Sequence, residues 1–355
     1  MFAPLKRLVV GRPIASYHAD HQRFGLLGGL AVLSSDALSS VAYATEEVLR
    51  VLMVGGLAAM ALGLPISMLI AGLLALVVYS YRLTIHAYPG GGGAYIVSRD
   101  NLGPYAGLTA AAALLIDYTL TVAVSIAAGV SAITSAIPAL HVSRVVMGLT
   151  FVGLLMLGNL RGVKESTKLF GVPVYAFVGV MIGLIATGAW RAFSGTIAPL
   201  EVVNPLPTFN TGTLTTFALL TAFANGCTAM TGVEAVSDGV PAFKEPSPTI
   251  AARTLVLMAV LGITMFLGIS MLAHAYAVVP SETETVVSQL ARGVFGGRNL
   301  LYYIVQGATM LILVLAANTA FADFPRLASI VARDRYMPRQ FMNLGDKLSF
   351  SNGIV

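Results

Sequence analysis

Charge is scarce in this sequence. Asp, Glu, Lys and Arg supply 10% of its 355 residues against 57% hydrophobic, and the mean hydropathy is +0.83. That balance excludes a soluble globular domain and leaves a polytopic membrane protein. Cysteine occurs once, at Cys227, which excludes an intramolecular disulfide framework and a Cys/His metal centre; the residue reads as a small side chain in a helix. His18, His21, His86, His141 and His274 are scattered without metal-ligand spacing. The net charge of +5 comes without a basic stripe interleaved with aromatics, which argues against a nucleic-acid partner; basic loops are what membrane topology requires. The N-terminus carries Lys6, Arg7, Arg12 and Arg23 and lacks the short apolar core and small-residue cleavage site of a signal peptide. The run PGGGGAY, Pro89 to Tyr95, lacks the Lys and Ser/Thr of a phosphate-binding loop and reads as a flexible inner connection.

What is present in quantity is long apolar sequence. Windows able to cross about 30 Å of hydrocarbon at about 1.5 Å per residue fall at residues 26–52, 57–81, 104–137, 145–160, 169–190, 214–236, 254–279 and 300–329. With the N-terminus in the cytoplasm, only Arg50, Arg144, Arg191, Arg292 and Arg298 of the 21 Lys and Arg residues fall outside, as the positive-inside rule requires.

Two spans are interrupted. The first contains SSDALSS, centred on Asp36, and the sixth contains NGCTAMTGVEAVSDG, with Gly226, Gly232 and Glu234. Breaks in the spans that open each half of a repeat of five predict paired discontinuous helices meeting at a midplane site. The first repeat is expected over 26–190 and an incomplete second over 214–355, after a cytoplasmic segment at 1–25. Ten spans would complete the pair, so a truncated chain is expected. The third span carries Asp117, Tyr118, Thr121 and Ser125, a polar stripe at i, i+1, i+4 and i+8.

Asp36, Asp117 and Glu234 put three carboxylates into the bundle without a nearby Lys or Arg in those spans. Carboxylates gathered in low dielectric ionise together only if a cation or proton joins them. Tyr43, Tyr118, Thr121, Ser125 and Thr231 add neutral oxygens, hard ligands suited to an alkali ion. Glu46 and Glu47, beside Arg50, read as entrance or interface charges, and Asp323 as an inner-pathway residue or a helix-end ion pair.

At LSSDALSSVAYATEE, YPGGGGAYIVSRDNLG, IDYTLTVAVS, GCTAMTGVEAVSDG and LAANTAFADFPRLASIVARDRYMPRQF, the sequence resembles bacterial high-affinity potassium importers of the amino acid-polyamine-organocation superfamily. The Kup permeases share an Asp followed seven residues later by a Tyr, as Asp36 and Tyr43 are here. The resemblance implies an all-α LeuT-type inverted-repeat fold and proton-coupled potassium uptake across the bacterial cytoplasmic membrane, with no cofactor. Asp36, Tyr43, Asp117, Tyr118, Thr121, Ser125, Thr231 and Glu234 would line the potassium pathway, and Glu234 would couple the proton. It also implies a homodimer, formed through a regulatory C-terminal domain beyond this chain.

Three rival functions remain. An amino acid permease on the same scaffold would hold its substrate carboxylate on a glycine-rich break, where this chain has Asp36. An intramembrane aspartyl protease would need YD and GxGD motifs, whereas Asp36 sits in SSDA and Asp117 in IDYT. A non-transporting sensor or assembly subunit would bind ions without flux.

Overall fold

A computed structural model describes residues 23–91, 93–160, 167–197, 200, 204–206, 215–343 and 351–354. The segment expected at 1–25 lies almost wholly outside them. Among the described residues the chain is helical, and extended pairing is limited to two isolated bridges, Phe24 to Phe243 and Pro205 to Ser281.

The first apolar stretch is divided into α1 (Leu26–Leu33), α2 (Ser35–Ser39) and α3 (Val41–Leu52). A 3-10 turn, Leu57–Leu62, leads into α4 (Gly63–Ala87), and α5 (Gly93–Leu102) is a short helix ending at Gly103. Gly103 adopts a positive φ of 95° and Pro104 follows at the first turn of α6 (Pro104–Ala136). Proline suits a helix start because its missing N–H would be unpaired there anyway. Next come α7 (Arg144–Leu160) and α8 (Thr167–Phe193). The sixth stretch is split into α9 (Thr216–Gly226), a 3-10 turn at Cys227–Met230, and α10 (Glu234–Asp238). The remainder is α11 (Ser247–Ala275), α12 (Val286–Phe295), α13 (Leu300–Arg333) and α14 (Ser351–Ile354). Among the described residues seven stretches are long and apolar enough to cross a membrane: Leu57–Ala87, Pro104–Ala136, Pro138–Leu160, Phe170–Phe193, Thr216–Asp238, Ser247–Ala275 and Leu300–Arg333. The first predicted span stands apart from these because its three pieces are each too short.

Burial inverts the soluble pattern. Leu69, Leu76 and Leu83 on α4, Ile116 and Leu120 on α6, and Val145 and Leu149 on α7 are exposed, giving the spans oily outer faces suited to lipid. The broken first span lies inside: Leu30, Leu38, Val48 and Leu52 are fully buried and join one core with Ile70, Phe177, Met258 and Leu313. A smaller cluster of Tyr95, Ala111, Tyr118, Leu327 and Val331 fastens α5 and α6 to α13.

The bundle has two ends. At one, the Phe24 N–H donates to the Ala242 carbonyl at 2.7 Å and the Lys244 N–H to the Phe24 carbonyl at 2.9 Å, tying the start of the first span to the end of the sixth. There too the Tyr95 hydroxyl donates to Asp334 Oδ2 at 2.6 Å, and Arg99 pairs with the same carboxylate. At the other end, the Val286 N–H donates to Glu46 and the Thr285 N–H to the Ser135 hydroxyl. Arg50 and Arg144 line a cavity at this second end, and Arg292 pairs with Glu284 there. The basic residues the sequence sorts to the outer side thus include neighbours in space.

The glycine run departs from expectation. A Cβ on Gly91 would stand 2.7 Å from the Asp238 carbonyl oxygen, and one on Gly93 would collide with the Asp238 carboxylate. Both glycines have positive φ, 76° and 41°. Gly91 and Gly93 pack against the end of the sixth span, where glycine permits close approach to Asp238 as well as turning.

Candidate functional site

Each break arises from residues that offer helix carbonyls something other than the next N–H. In the first span the Ser34 hydroxyl donates to the Leu30 carbonyl, and the hydroxyls of Ser39 and Ser40 both donate to the Asp36 carbonyl, at 2.8 and 3.2 Å. Such local bonds compete with the helical ladder. In the sixth, Thr231 is extended (φ −63°, ψ 152°) and Gly232 has a φ of 75°, a conformation that only glycine adopts cheaply.

The two breaks touch. A Cβ on Gly232 would lie 2.7 Å from Asp36 Cβ, 2.8 Å from Asp36 Cγ and 2.8 Å from the Ala37 nitrogen. A chain of hydroxyls joins them as well, with Tyr43 to Ser40 at 3.2 Å and Ser40 to Thr231 at 2.9 Å. Thr231 Oγ1 also lies 3.0 Å from the Thr228 carbonyl oxygen, which competes with Ser40 for its one proton. Gly226 makes the approach possible one turn earlier, since a Cβ there would strike Ile70 and Val48 side chains.

Asp36 and Glu234 are 4% and 7% exposed, and Asp36 Oδ1 and Glu234 Oε1 have no hydrogen-bond partner among the described residues. A buried carboxylate oxygen without a donor is costly, several kcal/mol if the group is charged. The charges that bear on Asp36 are Asp117 and Asp323, and those on Glu234 include Asp36, Asp117 and Asp238. Among the described residues no ion pair reaches Asp36, Asp117 or Glu234. The buried carboxylates Asp36 and Glu234 thus lack a positive partner among the described residues.

The third-span stripe is partly rearranged. Tyr118, Thr121 and Ser125 are buried, and the Ser125 hydroxyl has no partner among the described residues, whereas Asp117, one residue and about 100° round the helix, is only half-buried. Tyr118 turns toward a cavity of about 340 Å³ that it lines with Leu33, Asp238, Asp323 and Arg326. Asp323 lines that cavity and pairs with Arg326 at 3.0 Å, within the helix Leu300–Arg333 and not at its end. Glu46 and Glu47 line one cavity and differ in their bonds: Glu46 is buried and paired with Arg50, while Glu47 makes no ion pair among the described residues.

Sequence reasoning missed the eighth span's share. Ser35, at the first-span break, shares a 2.8 Å hydroxyl contact with Thr319, which also donates to the Leu315 carbonyl. Thr319 lies one turn before Asp323, and that spacing was its only signal.

A carboxylate pair with orphaned oxygens, ringed by hydroxyls at the contact of two interrupted helices, is an arrangement for a small cation or a proton. The sequence profile described as amino acid permease matches residues 24–355. Across all 355 residues the chain is 50% identical to the potassium transporter KimA of Bacillus subtilis (strain 168), and it spans 58% of that protein's length. With its apolar helices and its match over nearly the whole sequence, this chain belongs to the amino acid permease family and is a multi-pass membrane protein.

Proposed function

We propose that this chain is the membrane part of a secondary potassium carrier, working as a potassium/proton symporter in the bacterial cytoplasmic membrane with the Phe24 end facing the cytoplasm. The observation that carries the reading is the pair of donor-less carboxylate oxygens, Asp36 Oδ1 and Glu234 Oε1, buried where the two breaks meet. The name of the 50% identical relative, a potassium transporter, supports the substrate. In this reading Asp36 takes the dehydrated ion with oxygens from Tyr43, Thr121, Ser125 and Thr231, and Tyr118 and Asp117 line its exit. Glu234 exchanges a proton, because two neighbouring buried carboxylates and one cation leave a charge to be neutralised. The scaffold is a LeuT-type inverted repeat, its first unit over 26–190 and part of the second over 214–355. The protein works with no cofactor and as a homodimer.

Glu234→Gln tests the coupling. Rubidium uptake into proteoliposomes should keep its cation dependence and lose most of its pH dependence; a parental pH profile would remove Glu234 from the role. The family description favours a second reading, an amino acid permease. It requires uptake of a labelled amino acid indifferent to potassium, and Asp36 at the break opposes it by repelling a substrate carboxylate. Membership of a permease family sets aside the protease reading.

A further inference from the structure

Glu46 and Glu47 are adjacent in sequence and differ in what they touch. Glu46 is committed: its Oε1 accepts from Arg50 Nε at 3.0 Å and Nη2 at 2.6 Å, and its Oε2 accepts from the Val286 N–H at 3.0 Å. Glu47, one turn beyond Tyr43, lines a cavity of about 230 Å³ together with Tyr43, Ser131 and Thr309, and makes no ion pair among the described residues. Thr309 is 4% exposed and its hydroxyl has no partner among the described residues. A threonine in an apolar helix ordinarily bonds a carbonyl one turn back, as Thr319 does on the same helix.

Charge and position both suit a cation here. Glu46, Glu47 and Arg50 leave one net negative charge beside the cavity. Its volume admits an ion with several waters, at about 30 Å³ per water. Glu46, Arg50, Ser131 and Thr285 are shared with a wider vestibule of about 760 Å³ at the same end of the bundle. Tyr43, which lines the cavity, is also the first member of the hydroxyl chain that leads to Thr231.

We propose that this cavity is a second cation site, in which the Glu47 carboxylate and the Thr309 hydroxyl hold a partly hydrated alkali-metal ion before it passes Tyr43. The proposal rests on the cation-carrier reading above and adds a place where the ion sheds part of its water.

Equilibrium binding and uptake of rubidium-86 by the purified protein, with Glu47→Gln, Thr309→Val and the double variant, tests it. Each single variant should bind one rubidium ion fewer and raise the KM for uptake at least fivefold with the maximal rate retained. The double variant should do no worse than either, and Thr309→Ser should restore parental values. Should Glu47→Gln not fold, the Thr309→Val and Thr309→Ser pair decides alone. Parental stoichiometry and KM in the variants would overturn the second site and leave the carrier intact. A parent protein that binds no rubidium would overturn the carrier reading, and this site with it.

Discussion

Gly232→Ala puts the contact between the two breaks under direct strain. The new Cβ would sit 2.7 Å from Asp36 Cβ and 2.8 Å from the Ala37 backbone nitrogen, where ordinary contact begins at 3.4 Å. The neighbours must therefore part by about 0.7 Å, and a backbone nitrogen cannot step aside as a side-chain tip can. The positive φ adds about 1–2 kcal/mol for any residue with a Cβ, and overpacking typically adds about 1–3 kcal/mol. The expected loss of stability is about 2–5 kcal/mol by these two effects together. Gly226→Ala provides the contrast, because its φ is an ordinary −68° and its Cβ meets only side-chain ends of Ile70 and Val48. Both variants should lower the thermal midpoint in detergent. Only Gly232→Ala displaces Asp36, so only it should weaken rubidium binding, by tenfold or more. Parental rubidium affinity in Gly232→Ala, or equal loss in both variants, would refute the claim that the glycine contact sets the carboxylate's position.

Three further outcomes follow from particular bonds. Ser40→Ala and Thr231→Val each remove one member of the hydroxyl chain and should cost about 1 kcal/mol each; a double-variant cycle in thermal unfolding should show them coupled, and strict additivity would deny the bond. Arg99 and Asp334 are each about one-third exposed, 34% and 31%, so their ion pair is worth at most about 1 kcal/mol. Arg99→Ala should accordingly speed thiol labelling of a Leu114→Cys reporter in the Tyr118 cavity by no more than about fivefold, and unchanged labelling would show that the pair does not hold α5 over that cavity. Glu46→Gln weakens charge-assisted bonds to Arg50 and Val286 and should lower stability by about 2 kcal/mol; a parental thermal midpoint would show that these bonds do not fasten α3 to the start of α12.

The spans and both interruptions were readable because lipid imposes a coarse rule: about twenty apolar residues per crossing, and polar or glycine-rich sequence only where it faces protein. Span ends were harder. The second was expected to stop at 81 and runs as helix to Ala87, since Arg82 and His86 can extend toward the membrane surface without ending the helix. The seventh begins at Ser247 rather than 254, because Pro248 favours a helix start although Arg253 lowers the local hydropathy. Asp36 and Glu234 were legible as charges with no obvious partner. Thr309 and Thr319 were not, because hydroxyls in an apolar helix look alike in sequence whether they bond their own backbone, a neighbour or nothing. The difference between Glu46 and Glu47 is likewise tertiary, set by where the Val286 N–H falls.

The most direct test of the account is rubidium-86 uptake into proteoliposomes under an inward proton gradient, comparing the parent protein with Asp36→Asn. Asp36 Oδ1 has no donor to lose, so the neutral amide should leave thermal stability unchanged or higher. The account predicts a variant that is folded, at least as stable as the parent, and without rubidium uptake. Uptake by Asp36→Asn at the parental rate would contradict it.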